Sequence, residues 1–421
     1  MSAARRLASQ TFAALVVRNF RLYFIGQIIS VSGTWMQSVA QGWLILQITH
    51  HDAFLLGVSI ALQYLPMLLF GSYGGVLADR YNKRVILYAT QGSSGILALV
   101  LGICVLVHAV SIPLVFTIAI LNGIANLFDV PARQSFVQEM VGRDLIANAV
   151  SLNSVIMNAG RLIGPAIATL FIALTGTAGC FIANSVSYLA VITALVAMRD
   201  SELTPIRRER PRKGQLRSGL RYAWGTPLIR TVLLSVVMVG TFAFNFTTTL
   251  PLLVQVTFHD EHASAYGFLL GAMGLGAVMG GLYVARRSRP TVALLAGLGL
   301  TFGVSMTVVA LAPTMLVAAL ALVVTGASAI AFVSTCNATL QLNSREEYRG
   351  RVMSLHGIAF LGTTPIGAPI VGAIVAATSP RVGLLVGSIS TLVVGMLLTV
   401  KARKSETAES QTECQGKVAK R

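Results

Sequence analysis

The sequence predicts an all-α membrane protein of twelve spanning helices arranged as two six-helix halves. Three observations carry this. Only 11% of the 421 residues are charged while 55% are hydrophobic; soluble proteins carry about 25% charged residues, so no domain-sized stretch can clothe a water-facing surface. Apolar segments long enough to span a bilayer recur along the whole chain, each needing ~20 residues or roughly 35 with its connection. The two halves of the chain also repeat one another at a nearly constant offset.

Taken in order, the apolar segments fall at about 20–47, 54–78, 84–109, 112–132, 145–174, 177–198, 228–256, 265–285, 290–311, 314–340, 351–377 and 381–401. An even count puts both termini on one side. The connections on that side hold Arg80, Lys83 and Arg84, then Arg133 and Arg143, the basic stretch 199–230, Arg286, Arg287 and Arg289, and Arg345, Arg349 and Arg351. The opposite loops hold His50, Asp52, His108 and the run His259-Asp260-Glu261-His262, with Arg381 as their strong cation. Lys and Arg are retained in cytoplasmic loops, so both termini are expected in the cytoplasm. The expected organisation is a tail at 1–19, a first half at 20–198, a central loop at 199–227, a second half at 228–401 and a tail at 402–421.

A net charge of +17 would fit a nucleic-acid binder, but the basic residues lie in short clusters between apolar segments, which assigns them to topology. No nucleic-acid partner is expected. Cys104, Cys180, Cys336 and Cys414 have no paired or metal-type spacing, and no P-loop, zinc motif or catalytic dyad lies at a membrane face. The glycines of GAMGLGAVMGG fall inside a span with no preceding strand. No metal, cofactor or enzymatic activity is therefore expected. The apolar run before Arg18 and Arg21 is too short for a cleavable signal peptide. In the central loop Leu216, Leu220 and Trp224 recur at helical spacing with Arg217 and Arg221 on another face. Such a segment either lies along the anionic inner leaflet or only tethers the halves.

The repeat is read at matched positions. Gly74-Gly75 end the second span before a basic loop and Gly280-Gly281 end the eighth, an offset of 206. Ser151-Leu152 and Ile163-Gly164 match Ser354-Leu355 and Ile366-Gly367 at an offset of 203. Two six-helix halves in parallel repeat are the plan of transporters that rock around a central site.

The segment Gly75-Val-Leu-Ala-Asp79-Arg80-Tyr-Asn82-Lys83-Arg84 resembles the loop 2-3 signature of the major facilitator superfamily, G-x-L-A-D-R-x-G-R-[KR], with Asn82 in place of a glycine. Asn tolerates left-handed backbone better than other non-Gly residues, so the turn is expected to survive. The segments PARQSFVQEMV, LIANAVSLNSVIMNAGRLIGPAIA, YGFLLGAMGLGAVMGGL and YRGRVMSLHGIAFLGTTPIGAPIVG resemble the subgroup that holds the enterobactin exporter and macrolide-efflux-type proteins. This resemblance implies a pseudo-two-fold fold, a bacterial cytoplasmic (inner) membrane location and a monomeric chain. It also implies that Asp79, within a signature completed by Gly75, Arg80, Lys83 and Arg84, latches the halves with Asp129 and Arg133 near the fourth span. Ala285 stands at the matching place in the second half, so the latch is asymmetric. The plainer reading makes these ordinary interfacial charges.

Arg161 is the strong cation expected deep inside a span, ~24 Å from Leu145 and ~22 Å from Gly176. A charge there costs at least ~2.5 kcal/mol. It either meets an anionic substrate group in a watery cavity or donates to carbonyls and amide side chains as structural glue. Gly160 and Gly164-Pro165 resemble the antiporter signature of the fifth helix, with Gly367 and Pro369 as repeat partners; they also suit plain close packing. On the first span Gln27, Ser30, Thr34, Gln37 and Gln41 share one face. In the resembled fold helices 1, 4, 7 and 10 line the cavity, which adds Asn122, Asn126, Asn245, Asn337 and Gln341, with Trp35, Tyr64, Phe242, Phe244 and Phe246 as aromatic neighbours. Each polar residue serves either the substrate or helix-helix contact. His356 titrates near neutral pH and is either a proton carrier or a structural residue. The function implied is a secondary active exporter of a small amphipathic molecule, a drug or a siderophore, by proton antiport with rocker-switch alternating access. The alternatives are an uptake facilitator or symporter, or a transporter-derived receptor or lipid-handling protein.

Overall fold

A computed structural model describes residues 12–204, 215–287 and 290–418, with the side chains of 72–80, Arg143, Asn158, Leu162, 215–217, Leu361 and 404–418 outside the description. Every long element is helical. The first is α1 (Arg18–Ile48), followed by α2 (Ala53–Arg80), α3 (Lys83–Leu106) and α4 (Ile112–Gly142). The next stretch, Asp144–Val196, is 53 residues long. At ~1.5 Å per residue this is about 80 Å, more than twice a hydrocarbon core of ~30 Å. Gly176, at φ +70°, divides it into α5 (residues 144–175) and α6 (residues 177–196), because glycine enters that left-handed well without a Cβ clash. A short helix α7 (Gln215–Gly225) precedes α8 (Pro227–Thr257), α9 (Ala263–Ala285), α10 (Val292–Leu311), α11 (Met315–Asn343), α12 (Glu346–Ala377) and α13 (Pro380–Val418).

Among the described residues ten helical stretches are long and apolar enough to cross a membrane. α1 stands outside that group, although it has 31 residues, because its Gln, Ser and Thr positions lower its hydropathy. Adding α1 and dividing the 53-residue stretch at Gly176 gives a number consistent with twelve spans.

Three places differ from the sequence expectation. α4 does not stop near residue 132 but continues to Gly142, itself at φ +70°, so Asp129 and Arg133 are interior helical positions. Pro131 does not end it. The second difference is at Asn82, which has φ −62° and caps α3 by accepting from the Arg84 amide at 2.9 Å. The position therefore needs a capping side chain and not a left-handed backbone. α8 is also interrupted after Phe242 and resumes at Phe246, with the Asn245 amide donating to the Thr241 carbonyl at 2.7 Å across the break.

The chain divides into two compact units, Met1–Lys213 with Asp260–Gly271, and Gly214–His259 with Ala272–Arg421. Inside each, the same helix pairs close on glycines at matching positions. In the first unit a Cβ on Gly123 would strike the Gln63 carbonyl, and one on Gly164 would strike the Ser32 carbonyl and Trp35. In the second, Gly326 meets the Met273 carbonyl and Gly367 the Thr241 carbonyl. Both glycine pairs are offset by 203 residues. Without a hydrophobic drive between helices in lipid, close backbone approach at small residues is what holds such pairs together.

Candidate functional site

Arg161 lies halfway along α5, ~26 Å from residue 144 and ~21 Å from residue 175. Two glycines determine what it meets. A Cβ at Gly160 would touch Val31 and the Trp35 ring at 3.3 Å, and one at Gly164 would lie 2.9 Å from the Ser32 carbonyl and 3.1 Å from the Met36 amide. α5 therefore lies directly on the backbone of α1, and the Arg161 guanidinium comes to rest 5.0 Å from the centroid of the Trp35 ring. The phenol of Tyr64 on α2 is within electrostatic range. Among the described residues no carboxylate comes within ion-pair distance of Arg161. A guanidinium has five donors and no acceptor, so a cation seated on an aromatic face retains its donor edge for an anionic group. Pro165 continues the packing: its carbonyl accepts from Thr169 and abuts Gly267 of α9, while Trp43 and Tyr266 stack at 6.5 Å.

A second, partly buried cation lies on α4, well before the helix end at Gly142. Arg133 pairs with Asp129 at 2.6 Å and donates to the Gln27 side-chain carbonyl at 3.3 Å. The other oxygen of Asp129 accepts from Thr90 and Gln91 of α3, both at 2.8 Å. The phenols of Tyr23 and Tyr188 are also within electrostatic range of Arg133. Asp129 is only 3% exposed. Buried charge of this kind persists only with full pairing.

The basic end of the same unit is clamped by residues of the loop signature. Lys83 pairs with Glu139 at 2.7 Å, and the Glu139 carbonyl accepts from the Thr204 amide at 2.9 Å. Arg84 pairs with Asp200, donates to the Leu195 carbonyl and lies over the Tyr88 ring at 5.8 Å. Arg18 reaches the Ala197 carbonyl at 2.9 Å and Asn19 the Arg199 carbonyl at 2.9 Å. Cations and donors thus collect on the free carbonyls at the end of α6, where the helix dipole favours positive charge. Lys83 and Arg84 are committed inside their own unit. The side chains of Asp79 and Arg80, and the surroundings of Gly75, lie outside the described residues.

The polar face of α1 faces three different helices. Gln27 ties α1 to α4 through Arg133, Gln37 accepts from Asn184 of α6 at 2.6 Å, and Gln41 donates to Ser59 of α2 at 3.5 Å. Thr34 donates to the Ser30 carbonyl of its own helix and remains exposed. Asn122 is buried and Asn126 exposed. In the second unit Gln341 donates to Asn337 at 2.7 Å, and Asn245 spans the α8 break described above. Phe244 fills the space beside that break, 5.2 Å from Phe360 and 5.7 Å from Phe302. His356 is buried, stacks on Phe360 at 6.5 Å, and its Nε2 has no hydrogen-bond partner among the described residues. Pro369 lies inside α12 two residues beyond the Gly367 contact.

Sequence reasoning missed the Asp129 anchoring residues Thr90 and Gln91. A signal was present, since two adjacent polar residues interrupt the apolar face of α3 at the depth of Asp129. It also missed that Trp35 carries Arg161, because contact between α1 and α5 is set by packing and not by spacing.

The comparisons with known proteins fit this architecture. The family model described as transmembrane secretion effector matches residues 9–419. The chain is 26% identical over 262 residues to the staphyloferrin A transporter of Staphylococcus aureus, a match spanning 62% of this chain and 65% of that protein. It is 25% identical over 398 residues to the multidrug efflux pump Tap of Mycolicibacterium fortuitum, spanning 89% and 93% of the two chains. Against the enterobactin exporter EntS of Shigella boydii it is 25% identical over 383 residues, 90% of each chain. Among solved structures, a bacterial homologue of the human lysosomal transporter Spinster superposes with a TM-score of 0.68 at 15% identity, covering 93% of this chain and 96% of that one. Its likeness shows the fold. The helical architecture and the near-complete family match together establish that this chain, a multi-pass membrane transporter and not an enzyme, belongs to the transmembrane secretion effector family of the major facilitator superfamily.

Proposed function

We propose that the chain is a secondary active exporter in a bacterial cytoplasmic membrane, with both termini cytoplasmic, and that it moves small amphipathic molecules bearing an anionic group. The observation that carries this is Arg161, a mid-span guanidinium seated on Trp35 with no carboxylate partner among the described residues. An unpaired cation at that depth is costly; an anionic substrate group entering the site offsets that cost and is recognised by it. The relatives named as siderophore and drug exporters support the direction of transport and the substrate size.

Proton antiport with rocker-switch alternating access completes the proposal, the chain acting as a monomer. Among the described residues Asp129 and Glu139 are the buried carboxylates, and Asp129 is the deeper of the two. Protonation of Asp129 would release Arg133, so this pair is the coupling element proposed, with Asp79 as its partner in latching the halves. His356, buried beside Phe360, is a second candidate proton carrier among the described residues. Everted membrane vesicles holding a pH-sensitive dye test the proposal. Addition of an exported siderophore or drug should release protons from the acidified lumen in vesicles with the chain and not in empty-vector vesicles. Accumulation of the same compound by intact expressing cells would instead select the uptake reading.

A further inference from the structure

α7 is the element that the transport reading leaves unused. One of its faces is docked. The Gly219 backbone lies against the side chain of Arg351, which donates to Ser218 at 2.9 Å. Tyr222 stacks on Tyr348 at 4.4 Å and its hydroxyl accepts from the Arg345 amide at 3.1 Å, while Arg351 lies over the Tyr348 ring at 5.0 Å. Ala223 completes this face and is fully buried. All of these contacts go to the start of α12.

The opposite face is open, and its chemistry has two parts. Leu220 is 46% exposed and Trp224 52% exposed; they lie four residues apart and so stand one above the other. Arg221 is also exposed, about 60–100° further round the helix from Trp224 and Leu220. Pro227, the first residue of the span α8, follows the end of α7 after a single residue, Thr226, so α7 is fixed at the depth where a bilayer's headgroups begin. Arg230, and Lys401, whose ammonium donates to the Pro227 carbonyl at 2.8 Å, add positive charge at that same end. The sequence immediately before α7, Arg207-Arg208-Glu209-Arg210-Pro211-Arg212-Lys213, is strongly basic.

We propose that the outer face of α7 binds the headgroups of anionic phospholipids, with Leu220 and Trp224 in the acyl boundary and Arg221 on the phosphate, and that this occupancy is transmitted to the first turns of α12. The charge is complementary to that lipid class, each juxtamembrane arginine contributing about 1 kcal/mol to such attraction, and Trp is the side chain best suited to the interface. Transmission follows from the docked face: Ser218, Gly219 and Tyr222 leave α7 no freedom to settle on lipid without moving Arg345, Tyr348 and Arg351.

The test uses the full chain in nanodiscs of phosphatidylcholine alone or mixed with phosphatidylglycerol, with bromine on the acyl chains of one lipid at a time. Tryptophan emission is measured for the wild type and for Trp224→Phe, and the difference reports Trp224 apart from Trp35 and Trp43. The expected result is stronger quenching of Trp224 by brominated phosphatidylglycerol than by an equal fraction of brominated phosphatidylcholine. Arg221→Gln should lower that preference roughly fivefold, and Arg221→Lys should keep it. Equal quenching by the two lipids, or none by either, overturns the headgroup site. Hydrogen exchange of residues 346–353 should slow in phosphatidylglycerol for the wild type and lose that lipid dependence in Arg351→Met; identical exchange in both lipids overturns the transmission. Both leaflets carry the same lipid in these discs, so the result does not depend on orientation or on what the protein transports.

Discussion

The Arg161 guanidinium rests 5.0 Å above the Trp35 ring because Gly160 and Gly164 let α5 lie on the backbone of α1. The contact belongs to the helix pair as much as to the two side chains. Trp35→Phe preserves a π face and should retain most transport, whereas Trp35→Leu removes the cation's seat, worth about 0.5–2 kcal/mol. Transport rates of the two variants at matched membrane levels should therefore separate, and equal rates would show that the ring only fills space.

Gly164→Ala places a methyl group against the Ser32 carbonyl and Met36 amide, atoms that cannot yield without moving α1. A loss of about 1–3 kcal/mol is expected from such overpacking, read as a lower melting temperature in detergent. Gly297→Ala on α10 meets no atom within 4 Å and should hold stability or raise it by up to about 1 kcal/mol through helix propensity.

Asp129→Asn leaves Arg133, whose side chain is 14% exposed, without its counter-charge and should cost roughly 3–5 kcal/mol. Removing both charges in Asp129→Asn/Arg133→Gln should cost less than the single change. A double variant less stable than the single one would contradict the pairing.

Asn82→Ala removes the cap on α3 and should lower stability by about 1 kcal/mol, while Asn82→Gly should lower it by only a few tenths. A gain on introducing glycine would mean that the turn and not the cap governs this position.

In the loop between α8 and α9, the His262 amide donates to Asp260 at 2.9 Å and holds its carboxyl below the ordinary 3.8. A depressed folded value means that the turn is fully supported above the ordinary carboxylate value and loses that support as pH falls through the lower one. The protection factor of the His262 amide should drop on acidification in that window, and Asp260→Asn should remove the dependence.

Much of the fold is legible because the bilayer leaves a chain few options: hydropathy locates the spans, and breaks at Gly142 and Gly176 only refine their ends. The site is less legible. Arg161 stands out by depth alone, but its seat on Trp35 depends on which faces of α1 and α5 meet. The polar residues of α1 show why one helix face is insufficient to assign a role. Gln27, Gln37 and Gln41 lie along one stripe, yet each bonds a different neighbouring helix, since α4, α6 and α2 each take part of the stripe. At Asn82 the signature's usual glycine is a poor guide, because asparagine has a side-chain oxygen that caps α3 and a glycine lacks one.

The most direct test of Arg161 as the anion contact of an exporter is uptake of a carboxylate- or catecholate-bearing siderophore into respiring everted vesicles. Wild-type and Arg161→Gln proteins are compared at equal membrane abundance. The wild type should accumulate the compound, a protonophore should abolish the accumulation, and Arg161→Gln should reduce it by roughly tenfold or more, the worth of one charge-assisted contact. Equal accumulation by the two proteins, or none by the wild type with any such compound, would contradict the account.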